Sequence, residues 1–249
     1  METTGNGEIH RVAVVGLGRF GLFWARTLSR QWPVLGTSRR ESLNLPEGVK
    51  QVPLPDALAA ADVVFLTVSI SAMPEVLRQI APLLRPDSTV VDTCSVKTVP
   101  VQQMVDILPR DVDIIATHPM FGPDSARERS DLLPMIVWPV RDRLQRYHRL
   151  NQAFTRLGMN VIPMSPADHD REAALTQGVT HLVGRVLKAM ELSPSEIGTL
   201  GYTRLLQVME QTCNDPVQLF QDLQRFNPYT RQMRQRFSEA LRQTEQLLE

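Results

Sequence analysis

Cysteine is scarce in this sequence: two residues among 249, Cys94 and Cys213. Two thiols far apart exclude a disulfide framework and suit a reducing compartment. Neither belongs to a C-x-x-C pair, and no H-E-x-x-H occurs, so no metal site is expected. No apolar run reaches the ~18 residues that a bilayer span requires. Neither sign of charge is in excess, with 27 basic and 27 acidic residues. General affinity for nucleic acid or an anionic membrane is therefore not expected. The opening METTGNGEIH lacks the apolar centre of a secretory signal. No serine stands in a G-x-S-x-G elbow, which removes the usual hydrolase arrangement. Internal repeats and low-complexity segments are missing too. A cytoplasmic chain is expected, long enough for one large domain or two modest ones.

What is present is organised around residues 11–21, RVAVVGLGRFG. Four apolar residues run into G-x-G-x-x-G, and a helical pattern follows over 22–31. That order describes a buried parallel strand, a tight turn and a helix start. Gly16 permits the turn, Gly18 lets the backbone approach a pyrophosphate, and Gly21 lets helix and strand pack closely. The dipole and free N–H groups of the helix then attract the phosphates. Gly16, Gly18, Arg19, Phe20 and Gly21 are the candidate cofactor contacts of this turn.

The next strand is expected at 33–37, followed by Ser38, Arg39 and Arg40. A carboxylate at this position would bind the ribose 2′-hydroxyl of NAD, whereas arginine accommodates a 2′-phosphate. No acid stands there, and two guanidinium forks do. The expected cofactor is NADP, with NAD possible; a solvated basic turn is the alternative.

Further short apolar runs at 62–68, 88–92 and 113–116 alternate with helical patterns, and 134–138 and 159–162 add strands around a helix at 142–157. Alternation of this kind describes an α/β fold with a doubly wound parallel sheet of Rossmann type over residues 1–164. After Met164 the strand pattern stops. Ser165 and Pro166 open a helical stretch, and Pro194, Gly201, Pro216 and Pro228 divide residues 165–249 into four expected helices. The last carries Met233, Phe237, Leu241, Thr244 and Leu248 along one face. So small a helical piece has little core of its own, so a homodimer through this half is expected.

Two loops fall where such a sheet places its ligand, at the carboxyl ends of strands. One is D-T-C-S-V-K at 92–97, the other T-H-P-M-F-G-P at 117–123. His118, fixed by the following proline, suits proton transfer near neutral pH. Ser95 can orient the imidazole or a substrate hydroxyl, or simply cap the next helix. Lys97 is expected to be a solvated loop charge. In the helical half Gln177 and His181 are an i, i+4 pair, with His169 and Asp170 expected earlier on the same helix.

These residues together resemble a family. G-L-G-R-F-G, S-V-K at 95–97, H-P-M-F-G-P at 118–123 and T-Q-G-V-T-H at 176–181 are similar to the prephenate/arogenate dehydrogenases of tyrosine biosynthesis. The resemblance covers nearly the whole chain. Plant-type arogenate dehydrogenases and their bacterial relatives also share G-Y-x-x-L-L at 201–206 and a pair like Asn227-Pro228. The resemblance implies oxidative decarboxylation of a cyclohexadienyl substrate. His118 would accept the proton of the ring hydroxyl and Ser95 would position that hydroxyl. Gln177, His181 and Thr199 would contact substrate, and the helical domain would dimerise. Arogenate-preferring relatives carry an acid where this chain has Asp215, which suits the substrate's ammonium; a helix N-cap before Pro216 is the other reading of Asp215. The role of Arg204 stays open. The leading expectation is an NADP-dependent arogenate dehydrogenase. Prephenate dehydrogenase, a relative acting on an amino-substituted prephenate, and a dinucleotide sensor without turnover are the alternatives.

Overall fold

The computed structural model describes residues 7–40, 44–128 and 133–248. The chain divides into two compact units, Met1–Pro166 and Ala167–Glu249.

The first unit begins with β1 (Val12–Val15), α1 (Arg19–Leu28), β2 (Val34–Thr37), β3 (Val49–Gln51), α2 (Leu54–Ala60), β4 (Val63–Leu66) and α3 (Met73–Ile80). It continues with β5 (Thr89–Asp92), α4 (Thr98–Ile107), β6 (Asp113–Pro119), α5 (Ser125–Glu128), β7 (Leu133–Arg141), α6 (Arg146–Arg156) and β8 (Met159–Pro163). The eight strands form one sheet in the order β3-β2-β1-β4-β5-β6-β7-β8. From β1 the chain winds outward to β2 and β3, then crosses to β4 and onward, so the order reverses at β1. Strands β1, β4 and β5 are buried along their whole length, as expected of parallel strands covered on both faces. Trp24, Ala25 and Leu28 of α1 are buried with β1, and Trp24 packs edge-on to Phe65 of β4.

The sheet is not parallel throughout. β7 runs antiparallel to β6, while β8 is parallel to β7. Between β6 and β7 the described residues hold only the four-residue α5. A parallel return needs a longer crossover, so the strand comes straight back. The sequence pattern also missed β3 and α2. β3 is a three-residue edge strand, Val-Lys-Gln, with no apolar run to mark it. The expected helix at 142–157 starts later, at Arg146, and the Asp142 carboxylate caps it by accepting the Arg146 N–H at 2.8 Å.

The second unit holds α7 (Pro166–Leu175), α8 (Gln177–Ala189), α9 (Leu200–Cys213), α10 (Val217–Phe226) and α11 (Thr230–Glu245). These are five helices where four are expected. The helix carrying His169 and the one carrying Gln177 are separate, because Thr176 (φ −105, ψ −87) leaves the helical region between them. No glycine or proline marks that break. Gly201 divides nothing: it lies in the first turn of α9. Along the expected face of α11 only Met233 is buried, and Leu241 and Leu248 are 53% and 85% exposed.

Candidate active site

The turn after β1 is built around backbone that only glycine supplies cheaply. Gly16 adopts φ +105, and a Cβ there would lie 2.9 Å from Val68 Cγ1; at Gly21 it would collide with the Gly16 carbonyl. At Gly18 a Cβ would meet nothing within 4 Å, so open space faces the turn. Helix α1 then starts with no side-chain cap and no acid in its first turn. Its leading N–H groups and positive dipole end suit an anion. The donor set therefore fits a dinucleotide pyrophosphate. The Arg19 guanidinium pairs with Asp124 at 2.5 Å, both partly exposed. The Phe20 ring stacks on Trp24, with centroids 5.9 Å apart, so its side chain serves packing.

At the end of β2, Arg39 and Arg40 are exposed. Ser38 shapes this turn, its Oγ accepting the Arg40 N–H at 3.0 Å. No carboxylate stands within residues 37–40.

The chemistry-bearing segments leave adjacent strands. Ser95 lies in the loop after β5, and His118 is the penultimate residue of β6. Both are buried. The Ser95 hydroxyl has no hydrogen-bond partner among the described residues. A buried hydroxyl of this kind is rare in a finished core and marks a place for a ligand's polar group. Between the two segments sits Lys97. It is no solvated loop charge: it is 1% exposed. Its Nζ donates to Asp92 Oδ2 and, at 2.5 Å, to the Thr117 carbonyl. Asp92 also accepts the Cys94 N–H at 3.1 Å and the Thr117 N–H at 3.2 Å. Sequence reasoning missed this network. Its one signal was an aspartate ending an otherwise apolar strand five residues before a lysine.

In the second unit Gln177 and His181 share one face of α8. Gln177 Oε1 and His181 Nδ1 are buried without a hydrogen-bond partner among the described residues. Burial, and next the nearby Arg185 cation, push the His181 imidazolium down to about 4, so the ring is neutral at pH 7 and can accept as well as donate. One turn on, Arg185 donates to the carbonyls of Thr212, at 3.3 Å, and Asp215, at 2.9 Å. It thereby holds the turn between α9 and α10. Asp215 is half-buried, just ahead of Pro216, the N-cap position of α10. The Thr199 hydroxyl is the N-cap of α9, accepting the Tyr202 N–H at 3.3 Å in an exposed position. Arg204 is exposed on the same helix. Among the described residues no cluster of histidine, cysteine and carboxylate could hold a metal ion, and no helix is long and apolar enough to cross a membrane.

Comparison with known proteins places this geometry. Residues 37–133 match the family described as prephenate dehydrogenase, nucleotide-binding domain. Residues 186–249 match the TYRAAT1-like C-terminal domain. Arogenate dehydrogenase 2, chloroplastic, of Arabidopsis thaliana is 36% identical over 229 residues, which cover 88% of this chain and 64% of that protein. Arogenate dehydrogenase 1, chloroplastic, of the same plant is 33% identical over 246 residues, 94% of this chain and 38% of that protein. The chain thus spans less than two thirds of the length of either relative. Among solved structures, the prephenate dehydrogenase of Aquifex aeolicus in complex with hydroxyphenyl propionate and NAD+ aligns with a TM-score of 0.74 at 19% identity, covering 97% of this chain and 91% of that one. The fold is shared with it. Residues 37–133 thus belong to the prephenate dehydrogenase nucleotide-binding family, and the chain is similar over most of its length to plant-type arogenate dehydrogenases.

Proposed function

We propose that the protein is an oxidoreductase that converts L-arogenate to L-tyrosine with NADP as oxidant. The observation that carries this reading is the joint anchoring of Ser95 and His118. Their segments leave the carboxyl ends of adjacent strands and are tied to one carboxylate, Asp92. A bound nicotinamide dinucleotide supplies the hydride acceptor. The chain's own residues handle the substrate. Ser95 Oγ hydrogen-bonds the ring hydroxyl, and the His118 imidazole takes its proton. The ring C–H electron pair leaves as hydride, the opposite C–C pair flows into the ring, and carbon dioxide departs. The proton held by His118 returns to the phenolic oxygen, so the sum is arogenate and oxidised dinucleotide giving tyrosine, carbon dioxide and reduced dinucleotide. Burial of Ser95 and His118 limits water at the reacting atoms.

Gln177, neutral His181 and Thr199 are proposed substrate contacts of the second unit, and the Asp215 carboxylate is proposed to favour the ammonium of arogenate over the keto group of prephenate. Arg39 and Arg40, with Ser38, support NADP in place of NAD. The first-turn N–H groups from Arg19 to Gly21 support pyrophosphate binding. Apolar residues of the second unit left open to solvent, Ile197 at 91% and Leu200 at 68%, support a homodimer through that unit; sedimentation as a monomer at working concentration contradicts it. Arogenate and prephenate, each supplied with NADP and with NAD, test the reading together. Tyrosine formation with NADP is expected to be fastest, and a clear preference for prephenate overturns the substrate assignment.

A further inference from the structure

Two buried groups take no part in the chemistry just described, the Asp92 carboxylate and the Lys97 ammonium. Burying an ion pair gains little stability, because desolvation offsets most of the attraction and an apolar pair of equal volume is often as stable. The position of this pair points to a different use. Three donors converge on Asp92: the Cys94 N–H, Lys97 Nζ and the Thr117 N–H. Ser95 lies between the first two, and His118 directly follows the third. Lys97 closes the ring by donating to the Thr117 carbonyl as well. The register pairs Thr89, Val90 and Val91 of β5 with Asp113, Ile114 and Ile115 of β6. Beyond those pairs, side chains do the joining. Losing the pair would therefore loosen the two reactive segments more than the sheet.

We propose that Asp92 and Lys97 are positioning residues, which fix Ser95 Oγ and the His118 imidazole relative to each other through one buried ion pair. This rests on the reading of Ser95 and His118 as the groups that meet the substrate hydroxyl. Lysine suits the place because its single charge on a flexible stem reaches two acceptors at once.

The test uses the full chain with Lys97→Met, and with Asp92→Asn and Lys97→Met together, beside the parent and His118→Asn. Turnover and KM with arogenate, dinucleotide affinity and Tm are measured for each. Lys97→Met is expected to lower kcat by about 10²-fold, the scale of a small misplacement of reacting groups, with dinucleotide affinity and KM little changed. Lys97→Met also leaves Asp92 as a buried charge without its cation. The double variant removes that charge, so its Tm is expected to return toward the parent's while kcat stays low. If Lys97→Met does not fold, the double variant carries the comparison. Turnover at the parent's rate in a folded variant overturns the proposal, as does kcat recovering together with Tm. Dinucleotide affinity that falls in step with kcat also overturns it, since Lys97 would then be a cofactor contact. His118→Asn separates the two levels. Parental turnover in that variant removes the site reading itself, whereas a dead His118→Asn beside an active double variant removes only the positioning role.

Discussion

Thr117 and Asp92 hold each other twice: the Thr117 N–H donates to Asp92 Oδ1 at 3.2 Å, and Thr117 Oγ1 donates to the Asp92 carbonyl at 2.5 Å. The residue before His118 is therefore bound to the strand that launches Ser95. If His118 is the proposed base, its loss has a clear mutational signature. His118→Asn is expected to lower kcat by about 10²–10⁴-fold, the range for losing a positioned general base. Dinucleotide affinity should not change, because no cofactor-turn residue is touched. Pre-steady-state and equilibrium binding measurements separate the two; equal rates would exclude His118 as the base.

Arg39 is proposed to set the choice of dinucleotide. Its guanidinium is exposed at the end of β2, with no carboxylate among residues 37–40. Arg39→Ala is expected to weaken NADP by roughly tenfold to a hundredfold, the value of a charge-assisted bond to phosphate, and to leave NAD nearly unchanged. Equal weakening of both would refute the phosphate assignment.

Asp215 is proposed to set the choice of substrate. Asp215→Asn is expected to lower kcat/KM for arogenate by ~1–3 kcal/mol, about tenfold to a hundredfold, while prephenate gains or holds. An unchanged ratio between the two substrates would mean that the carboxylate does not face the ammonium.

His181 gives the fold a pH dependence with a defined sign. Its folded pKa is lowered from 6.5 to about 4, so the folded protein refuses a proton that the unfolded chain accepts. Stability from this group is fully present above pH 6.5 and falls as pH drops toward 4, by at most about 3 kcal/mol, after which the loss levels off. Urea unfolding of the parent and of His181→Gln at several pH values checks this. The variant should lose the parent's extra slope between pH 6.5 and 4, and parallel curves would contradict it.

Much of the first unit was legible because its signals are local. The apolar run ending in Gly16, the glycine spacing and the short strands before Ser95 and His118 each state one element. The direction of β7 was not legible, since it depends on how little helix separates β6 from β7. Lys97 was misjudged for a related reason. Whether a loop lysine is solvated or enclosed depends on a carboxylate and a carbonyl that reach it from Asp92 and Thr117, and no window around Lys97 contains that carbonyl. The break at Thr176 escaped because nothing in L-T-Q is a helix breaker by propensity. The N-cap role of Thr199, by contrast, is a local signal, a hydroxyl just ahead of a helical run.

In the proposed reaction a ring carbon gives up hydride as the ring becomes aromatic. Arogenate carrying deuterium on the hydroxyl-bearing carbon reports that transfer. Deuterium is expected in the reduced NADP, one per tyrosine and carbon dioxide formed. Tyrosine formed with no deuterium in the dinucleotide, or no reduced dinucleotide from arogenate or prephenate, would contradict it.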